Sequence, residues 1–148
     1  MEAVIFIGVQ ASGKSTFCKQ RFYDTHLRIN LDMLRTKHRE NLLLSACLEA
    51  KQNFVIDKTN PTAEARSKYI QLAKLHKFKV IGYYFQSKLE DALQRNAGRD
   101  GKAKIDERGV RGVFSKLELP TFAEGFDKLF YVWIDEHNEF VVEKWKDE

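Results

Sequence analysis

The sequence has few of the residues that hold small secreted or metal-dependent domains together. Its 148 residues include two prolines, four scattered histidines and two cysteines without a Cys-x-x-Cys spacing. The histidines and cysteines therefore form no sequence motif for a structural metal site. Cys18 and Cys47 are expected to be buried, reduced thiols, as in a cytoplasmic protein.

Long apolar runs are also missing from the chain. None approaches the roughly 20 residues that a membrane-spanning helix needs. The chain begins with a strand-like segment, so we expect no signal or transit peptide. There are no repeats and no linker rich in proline or serine. With 43% hydrophobic and 31% charged residues, residues 1–148 are predicted to form one globular domain.

The net charge of +4 hides an uneven distribution. Residues 1–117 contain 22 Lys and Arg against 12 Asp and Glu, whereas residues 118–148 contain 3 against 9. A basic body with an acidic C-terminal part suits an anionic ligand bound to the body. An ordinary solvated surface explains the same composition, so charge alone leaves both interpretations open.

Short apolar runs alternate with helical patterns along the chain. The predicted strands are residues 3–7, 26–30, 54–56, 80–85, 129–134 and 140–142. This alternation predicts an α/β fold, a parallel sheet with helices on both faces. In the helix after residue 60, Pro61 is expected at the first helical position. The stripe facing the sheet is predicted to be Ala65, Tyr69, Leu72, Ala73 and His76.

Residues 8–16, GVQASGKST, carry the clearest functional signal. They match the Gly-x-x-x-x-Gly-Lys-Ser pattern of a phosphate-binding P-loop, placed between a strand and a helix. Lys14 is expected to contact the β- and γ-phosphates of ATP, and Ser15 to bind Mg²⁺. The absence of a clear Asn-Lys-x-Asp motif favours ATP over GTP. The predicted nucleotide-binding residues are Gly8, Ala11, Ser12, Gly13, Lys14, Ser15 and Thr16.

The segment RINLDMLRTK contains a carboxylate and a guanidinium three residues apart. On a helix, Asp32 and Arg35 share one face. Phosphoryl transfer to a hydroxyl uses a carboxylate to accept the hydroxyl proton and a cation to hold the acceptor. Asp32 and Arg35 provide one of each, although Asp32 equally suits a helix cap and Arg35 a surface position.

Asp57 follows the apolar run at residues 54–56. A P-loop fold places at the end of such a strand the acid that holds Mg²⁺ through water. Asp57 is therefore a predicted metal residue, and an ordinary strand-end residue is the alternative.

Residues 95–112 contain six basic residues and four of the eight glycines. A mobile basic segment of this kind can close over a triphosphate as a lid and deliver an arginine to the transferring phosphoryl group. A solvated loop without a ligand is the alternative.

Together these motifs resemble the kinase domain of polynucleotide kinases, P-loop enzymes that phosphorylate 5′-hydroxyl ends of DNA or RNA. The resemblance covers roughly residues 3–117 and rests on GVQASGKST, DMLR, VIDKTNPTAEARSKYIQLAK and QRNAGRDGKAK, in that order. It implies a P-loop NTPase-type fold, with ATP and Mg²⁺ as cofactors. It also implies that Asp32 is the general base and that Arg35 holds a phosphate of the acceptor strand. Arg95 and Arg99 both match the family's lid arginines, and Arg108 is a further candidate.

Two departures from the family pattern stand out. Ala11 occupies a position where many members have glycine, which matters little if its φ is negative. Members often carry a phosphatase, ligase or other end-healing domain, and 148 residues leave no room for one. Two interpretations are consistent with this length. The chain is an excised domain, covalently linked to or associated with such a partner, or it is a stand-alone relative.

The resemblance implies a polynucleotide 5′-kinase of nucleic-acid repair. A small-molecule kinase and a non-catalytic ATP-binding module are the alternatives.

Overall fold

The apolar runs form a six-stranded sheet at the centre of the computed structural model, which describes residues 1–101 and 105–146. The strands are β1 (Glu2–Ile7), β2 (Leu27–Ile29), β3 (Phe54–Ile56), β4 (Lys79–Phe85), β5 (Lys128–Ile134) and β6 (Phe140–Lys144). The helices are α1 (Lys14–Arg21), α2 (Leu31–Leu34), α3 (Lys37–Ala50), α4 (Ala63–Leu75), α5 (Leu89–Ala97) and α6 (Glu107–Lys116), and a 3-10 helix spans Phe122–Glu124. Within the described ranges, none of the helices combines the length and the apolar character needed to cross a bilayer.

The strand order is β2-β3-β1-β4-β5-β6. The first five strands are parallel, and β6 pairs antiparallel with β5. The predicted α/β class is confirmed. Because neighbouring parallel strands end at the same edge of the sheet, the segments that follow β1, β2 and β3 meet there.

Two clusters of buried side chains cover the two faces of the sheet. On one face, Leu44 of α3 and Tyr69 of α4 pack over the strands. On the other face, Phe17 of α1 and Phe22, which caps the end of that helix, surround Phe6, with ring centroids 5.9 and 6.0 Å from it. The two cysteines, one in each cluster, are buried and free, as predicted. Burial raises the pKa of Cys18 to about 11 and also raises the pKa of Cys47.

Helix α4 differs from its prediction in two details. Its cap is Thr62, whose Oγ1 accepts a hydrogen bond from the Ala65 amide at 3.0 Å, so Pro61 precedes the cap instead of starting the helix. Ala65 is exposed, whereas Arg66 is fully buried against Glu124. A buried arginine breaks the apolar pattern from which the stripe was predicted. The buried residues are Arg66, Tyr69, Ile70 and Ala73.

Helices α5 and α6 pack against the loop that follows β1. Val9, Ala92 and Val110 form a small buried cluster there, with partly buried apolar residues of both helices around it. Residues 107–112 of the predicted lid therefore begin α6 instead of forming a glycine loop. Residues 95–97 end α5, and residues 102–104 lie outside the described residues.

Candidate active site

A cavity of about 280 Å³ lies where β1, β2 and β3 end. The predicted site residues that line it are Ala11, Lys14, Ser15, Asp32, Asp57 and Arg99. Gly8, Ser12, Gly13 and Thr16 belong to the P-loop and its helix without lining this cavity, and Arg35 and Arg95 also lie outside its lining. Part of the P-loop, two carboxylates and one arginine therefore line a single cavity.

Helix α1 presents an open N-terminus to this cavity. Its cap is Gly13, with φ of 96°, and it has neither a side-chain cap nor an acidic residue in its first turn. A Cβ atom at Gly13 would approach Phe140 Cε1 to 2.9 Å. Glycine is therefore required both by the backbone conformation and by the packing. The partial positive charge of the helix end is left for an anion such as a phosphate group.

Ala11 does not have the negative φ that would make an alanine as acceptable as a glycine at this position. Its φ is +62°, in the left-handed region, so replacing the family's glycine is not neutral here. The alanine is buried in the P-loop, with 4% of its surface exposed. The loop carries a conformational strain that a glycine at this position would relieve.

The Lys14 ammonium group is folded back into the P-loop. It donates hydrogen bonds to the Gly8 carbonyl at 3.0 Å and the Val9 carbonyl at 2.6 Å. Burial lowers the pKa of Lys14 to about 8, although the Asp57 charge acts in the opposite direction. The Arg99 charge adds to the lowering of the Lys14 pKa. An entering phosphate would take over these donor contacts and favour the charged form.

Asp57 and Ser15, the two predicted metal residues, contact each other directly. The Ser15 hydroxyl donates to Asp57 Oδ2 at 3.0 Å, and the Asp57 side chain is 2% exposed. Arg28, which sequence reasoning missed, forms an ion pair with the same carboxylate oxygen at 2.7 Å and donates to Ser15 Oγ at 3.0 Å. The buried carboxylate of Asp57 is therefore balanced by the positive charge of Arg28 on β2.

Asp32 lies on the short helix α2 and is not its cap. The cap is Asn30, whose side chain accepts from the Met33 amide at 2.9 Å. Asp32 is exposed and lines the cavity, and its carboxylate makes no hydrogen bond or ion pair with any residue that the structure describes. A carboxylate in this position can accept a proton from a hydroxyl group bound in the cavity.

The prediction that Asp32 and Arg35 share one face of a helix is wrong. Helix α2 ends at Leu34, and Arg35 has φ of 77° before Thr36 caps α3. The Arg35 side chain is exposed outside the cavity lining. Its proposed contact with the acceptor stays a prediction.

The structure separates the candidate lid arginines. Arg99 lines the cavity and is partly buried, whereas Arg95 is exposed on α5. Arg108 is 92% exposed at the start of α6 and lies 3.6 Å from Asp106. Of the three, Arg99 alone lines the cavity that contains Lys14 and Asp32.

A buried polar network supports the segment after Asp57. Lys58, which lines the cavity, lies 3.0 Å from the buried Glu40 carboxylate and donates to Tyr69 Oη at 2.8 Å. Burial lowers the pKa of Lys58, but the hydrogen bonds with Tyr69 and Glu40 outweigh it and raise that pKa above its ordinary value. Asn60 donates to the Phe6 carbonyl at 2.8 Å and so fixes the same segment to β1. An Asp-Lys-x-Asn run after a strand is the signal that could have identified this support.

Residues 34–120 match a family model described as an AAA domain, AAA_33. The chain belongs to this family of P-loop kinase domains. The match spans more than half of the 148 residues and begins after the P-loop, which is assigned from its own sequence and geometry. The resemblance to P-loop kinases that was drawn from the motifs is thereby confirmed.

Two curated relatives of this AAA_33 domain are polynucleotide kinases by name. The bifunctional polynucleotide phosphatase/kinase of Schizosaccharomyces pombe is 30% identical over 129 residues, which cover 84% of this chain and 32% of that protein. The putative bifunctional polynucleotide phosphatase/kinase of Acanthamoeba polyphaga mimivirus is 26% identical over 135 residues, with 86% and 32% coverage. The chain spans about a third of the length of both relatives.

A solved structure confirms the fold independently of the sequence. Kti12 of Chaetomium thermophilum, crystallised with ADP-AlF3, superimposes with a TM-score of 0.68 at 16% identity. The alignment covers 92% of each chain. At this identity the similarity concerns the α/β fold alone.

Proposed function

We propose that this chain transfers the γ-phosphate of ATP to the 5′-hydroxyl end of a polynucleotide, DNA or RNA. The observation that carries the proposal is the cavity of about 280 Å³ that Lys14, Ser15 and Arg99 line together with Asp32. It combines cationic donors for a triphosphate with a carboxylate for an acceptor hydroxyl. Those are the two parts that a phosphoryl transfer needs in one place.

In the proposed reaction, Lys14 and the N-terminus of α1 bind the β- and γ-phosphates. The acceptor hydroxyl attacks the γ-phosphorus while Asp32 accepts its proton. The bond between the γ-phosphorus and the β,γ-bridging oxygen breaks, and ADP leaves with that oxygen. Arg99 stabilises the charge on the transferring phosphoryl group.

The residues near Ser15 fit a magnesium ion. Its hydroxyl and the Asp57 carboxylate, whose oxygens are 3.0 Å apart, are oxygen donors of the kind that Mg²⁺ binds together with substrate phosphates. Bound there, the ion would neutralise charge on the β- and γ-oxygens. The Arg28 guanidinium contacts the same two side chains, so a bound ion would share them with it.

The polynucleotide acceptor is supported by the names of the two curated relatives and by the basic residues 1–117. Both relatives are named as bifunctional with a phosphatase, and they are about three times longer. We therefore propose that residues 1–148 form a single kinase domain that acts with an end-healing domain, either covalently linked or associated.

A labelled-phosphate assay tests this function. The protein is incubated with Mg²⁺, γ-labelled ATP and single-stranded DNA or RNA carrying a 5′-hydroxyl, with the same strands carrying a 5′-phosphate as the matched control. We expect label on the 5′-hydroxyl strands only. Label on nucleosides or sugars but on no strand would make the chain a small-molecule kinase. Bound ATP without any transfer would make it a non-catalytic module.

A further inference from the structure

A second cavity, of about 440 Å³, lies beside the candidate active site between α1 and β2. We call it the α1–β2 groove, and its lining includes Ser15, Lys19, Tyr23, His26 and Arg28. Ser15 also lines the candidate active site, so the two cavities adjoin at this residue.

The charge of the α1–β2 groove favours an anion. Lys19 of α1 and Arg28 of β2 stand on its two sides, and no aspartate or glutamate is among the described residues that line it. Arg28 is 34% exposed, so part of its guanidinium remains accessible although it pairs with Asp57. Two cations in a lining without carboxylates suit the phosphodiesters of a strand.

An exposed aromatic ring adds a second type of contact. Tyr23, which lines the groove, is 77% exposed. In the described part of the chain, the other large aromatic side chain classed as exposed is Phe122, at 40%. An exposed ring beside cations is the combination on which single-stranded nucleic acids stack their bases.

The floor of the groove is preformed. His26 has a side chain that is only 6% exposed and lies 3.0 Å from the Glu2 carboxylate. Its ring contacts Phe22 edge-on, with centroids 4.8 Å apart. The second ring nitrogen lies 2.7 Å from Thr25 Oγ1. Both edges of the imidazole are therefore held, and the floor needs no rearrangement to receive a ligand.

The position of the groove matches the path of an acceptor strand. Arg28 Nη1 lies 3.9 Å from Met33 Sδ, and Met33 follows Asp32 on α2. A strand whose 5′-hydroxyl lies at Asp32 can therefore continue past Met33 and Arg28 to Lys19 and Tyr23. The phosphate-binding loop lies on the other side of Ser15.

We propose that the α1–β2 groove binds the acceptor strand beyond its 5′-terminal nucleotide. Lys19 and the accessible part of Arg28 contact its phosphodiesters, and one base stacks on Tyr23. The proposal rests on the proposed polynucleotide kinase function and adds to it the site that distinguishes a strand from a mononucleotide.

Equilibrium binding without ATP tests the groove separately from catalysis. Fluorescence anisotropy is measured with 3′-fluorescein-labelled, single-stranded 5′-hydroxyl oligonucleotides of two and six nucleotides. We expect the hexanucleotide to bind the wild type more tightly. Tyr23→Ala should raise its Kd roughly 10-fold, because a base–aromatic stack is lost, while Tyr23→Phe should stay within about 2-fold of wild type because it keeps the ring.

The lysine is tested by charge. Lys19→Ala should weaken hexanucleotide binding about 5-fold. It should also reduce the slope of log Kd against log salt concentration by about 1, the value expected for one lost phosphate contact. Lys128→Ala is the matched control, since Lys128 is also exposed but begins β5, which three strands separate from β2 in the sheet. It should bind the hexanucleotide as the wild type does. Excess inorganic polyphosphate should compete less well than an unlabelled hexanucleotide.

Each outcome decides one of the two proposals. The groove proposal is overturned if Tyr23→Ala binds like wild type, if both oligonucleotides bind equally, or if the wild type binds neither. It is also overturned if polyphosphate competes as well as the hexanucleotide. If binding depends on Tyr23 and Lys19 but the labelled-phosphate assay shows no transfer to any strand, the groove stands and the kinase function fails.

Discussion

At the scale of single residues, Ala11 offers the clearest test of strain in the P-loop. Its φ of +62° costs an alanine roughly 1 kcal/mol relative to glycine. We expect Ala11→Gly to raise the free energy of unfolding by up to about 1 kcal/mol, measured by urea denaturation. The control is Ala65→Gly at an exposed position of α4, which should lower the free energy of unfolding by about 0.5–1 kcal/mol. A loss of stability in both variants would rule out strain at Ala11.

Replacing Arg28 should make the free energy of unfolding depend more strongly on a bound metal ion. It pairs at 2.7 Å with a carboxylate that is 2% exposed. We expect Arg28→Met to lower the free energy of unfolding by about 2 kcal/mol in EDTA, because Asp57 keeps a buried charge without this partner. Mg²⁺ with ATP should stabilise the variant more than it stabilises the wild type, since the ion can replace the missing charge.

Thermal unfolding in EDTA and in Mg²⁺ with ATP measures both effects of the Arg28 substitution. Arg111→Met is the control, because its pair with Glu107 is more than half exposed on both sides and is worth less than about 0.5 kcal/mol. Equal losses in the two arginine variants, or equal stabilisation by Mg²⁺ with ATP, would contradict the role assigned to Arg28.

At the scale of secondary-structure elements, Asn96 joins α5 to α6. Its side chain accepts from the Ile105 amide at 2.8 Å and donates to the Ile105 carbonyl. The side chain is buried, and the segment that it closes contains Arg99, which lines the candidate active site. This side chain therefore helps to hold the segment that contains Arg99.

We expect Asn96→Ala to release this segment. Trypsin should cleave the folded variant after Arg99 faster than it cleaves the wild type, and kcat/KM for transfer should fall about 10-fold because Arg99 is held less firmly. Asn41→Ala, at an exposed asparagine on α3, should change neither quantity. Wild-type cleavage and transfer rates in Asn96→Ala would show that other contacts hold Arg99.

Short sequence motifs predicted which helices and strands form better than they predicted where each one ends. The P-loop and the strand before Asp57 are specified by short patterns, and both were predicted from the sequence. The length of α2 was not, because Thr36 caps the following helix and the chain must leave α2 at Arg35. Arg28 was missed because its partners come from two other segments, and no pattern within β2 marks a pair of this kind.

At the scale of the whole molecule, Arg66 connects distant parts of the chain. It is fully buried on α4, and its guanidinium pairs with Glu124 at 2.7 Å. It also donates to the Asn60 carbonyl at 2.9 Å and the Glu118 carbonyl at 3.1 Å. The Arg and Tyr-Ile of the family-like segment ARSKYI are buried structural residues in this fold.

Arg66→Met should therefore be among the most damaging substitutions. It leaves a partly buried carboxylate and two carbonyls without their donor, so we expect a loss of about 3–5 kcal/mol in the free energy of unfolding. Chemical denaturation measures it, and Arg66→Lys, which keeps the charge but not the planar fork, should lose less. A variant as stable as wild type would contradict the connecting role.

The carboxylate of Asp32 decides whether the whole molecule is a phosphotransferase. The most direct measurement compares Asp32→Asn with the wild type in ATP binding by calorimetry and in single-turnover transfer from γ-labelled ATP to a 5′-hydroxyl oligonucleotide. We expect the ATP Kd to change less than about 3-fold and the transfer rate to fall at least 100-fold, because the general base is lost. A variant that transfers phosphate at the wild-type rate would contradict the assignment of Asp32 as the base.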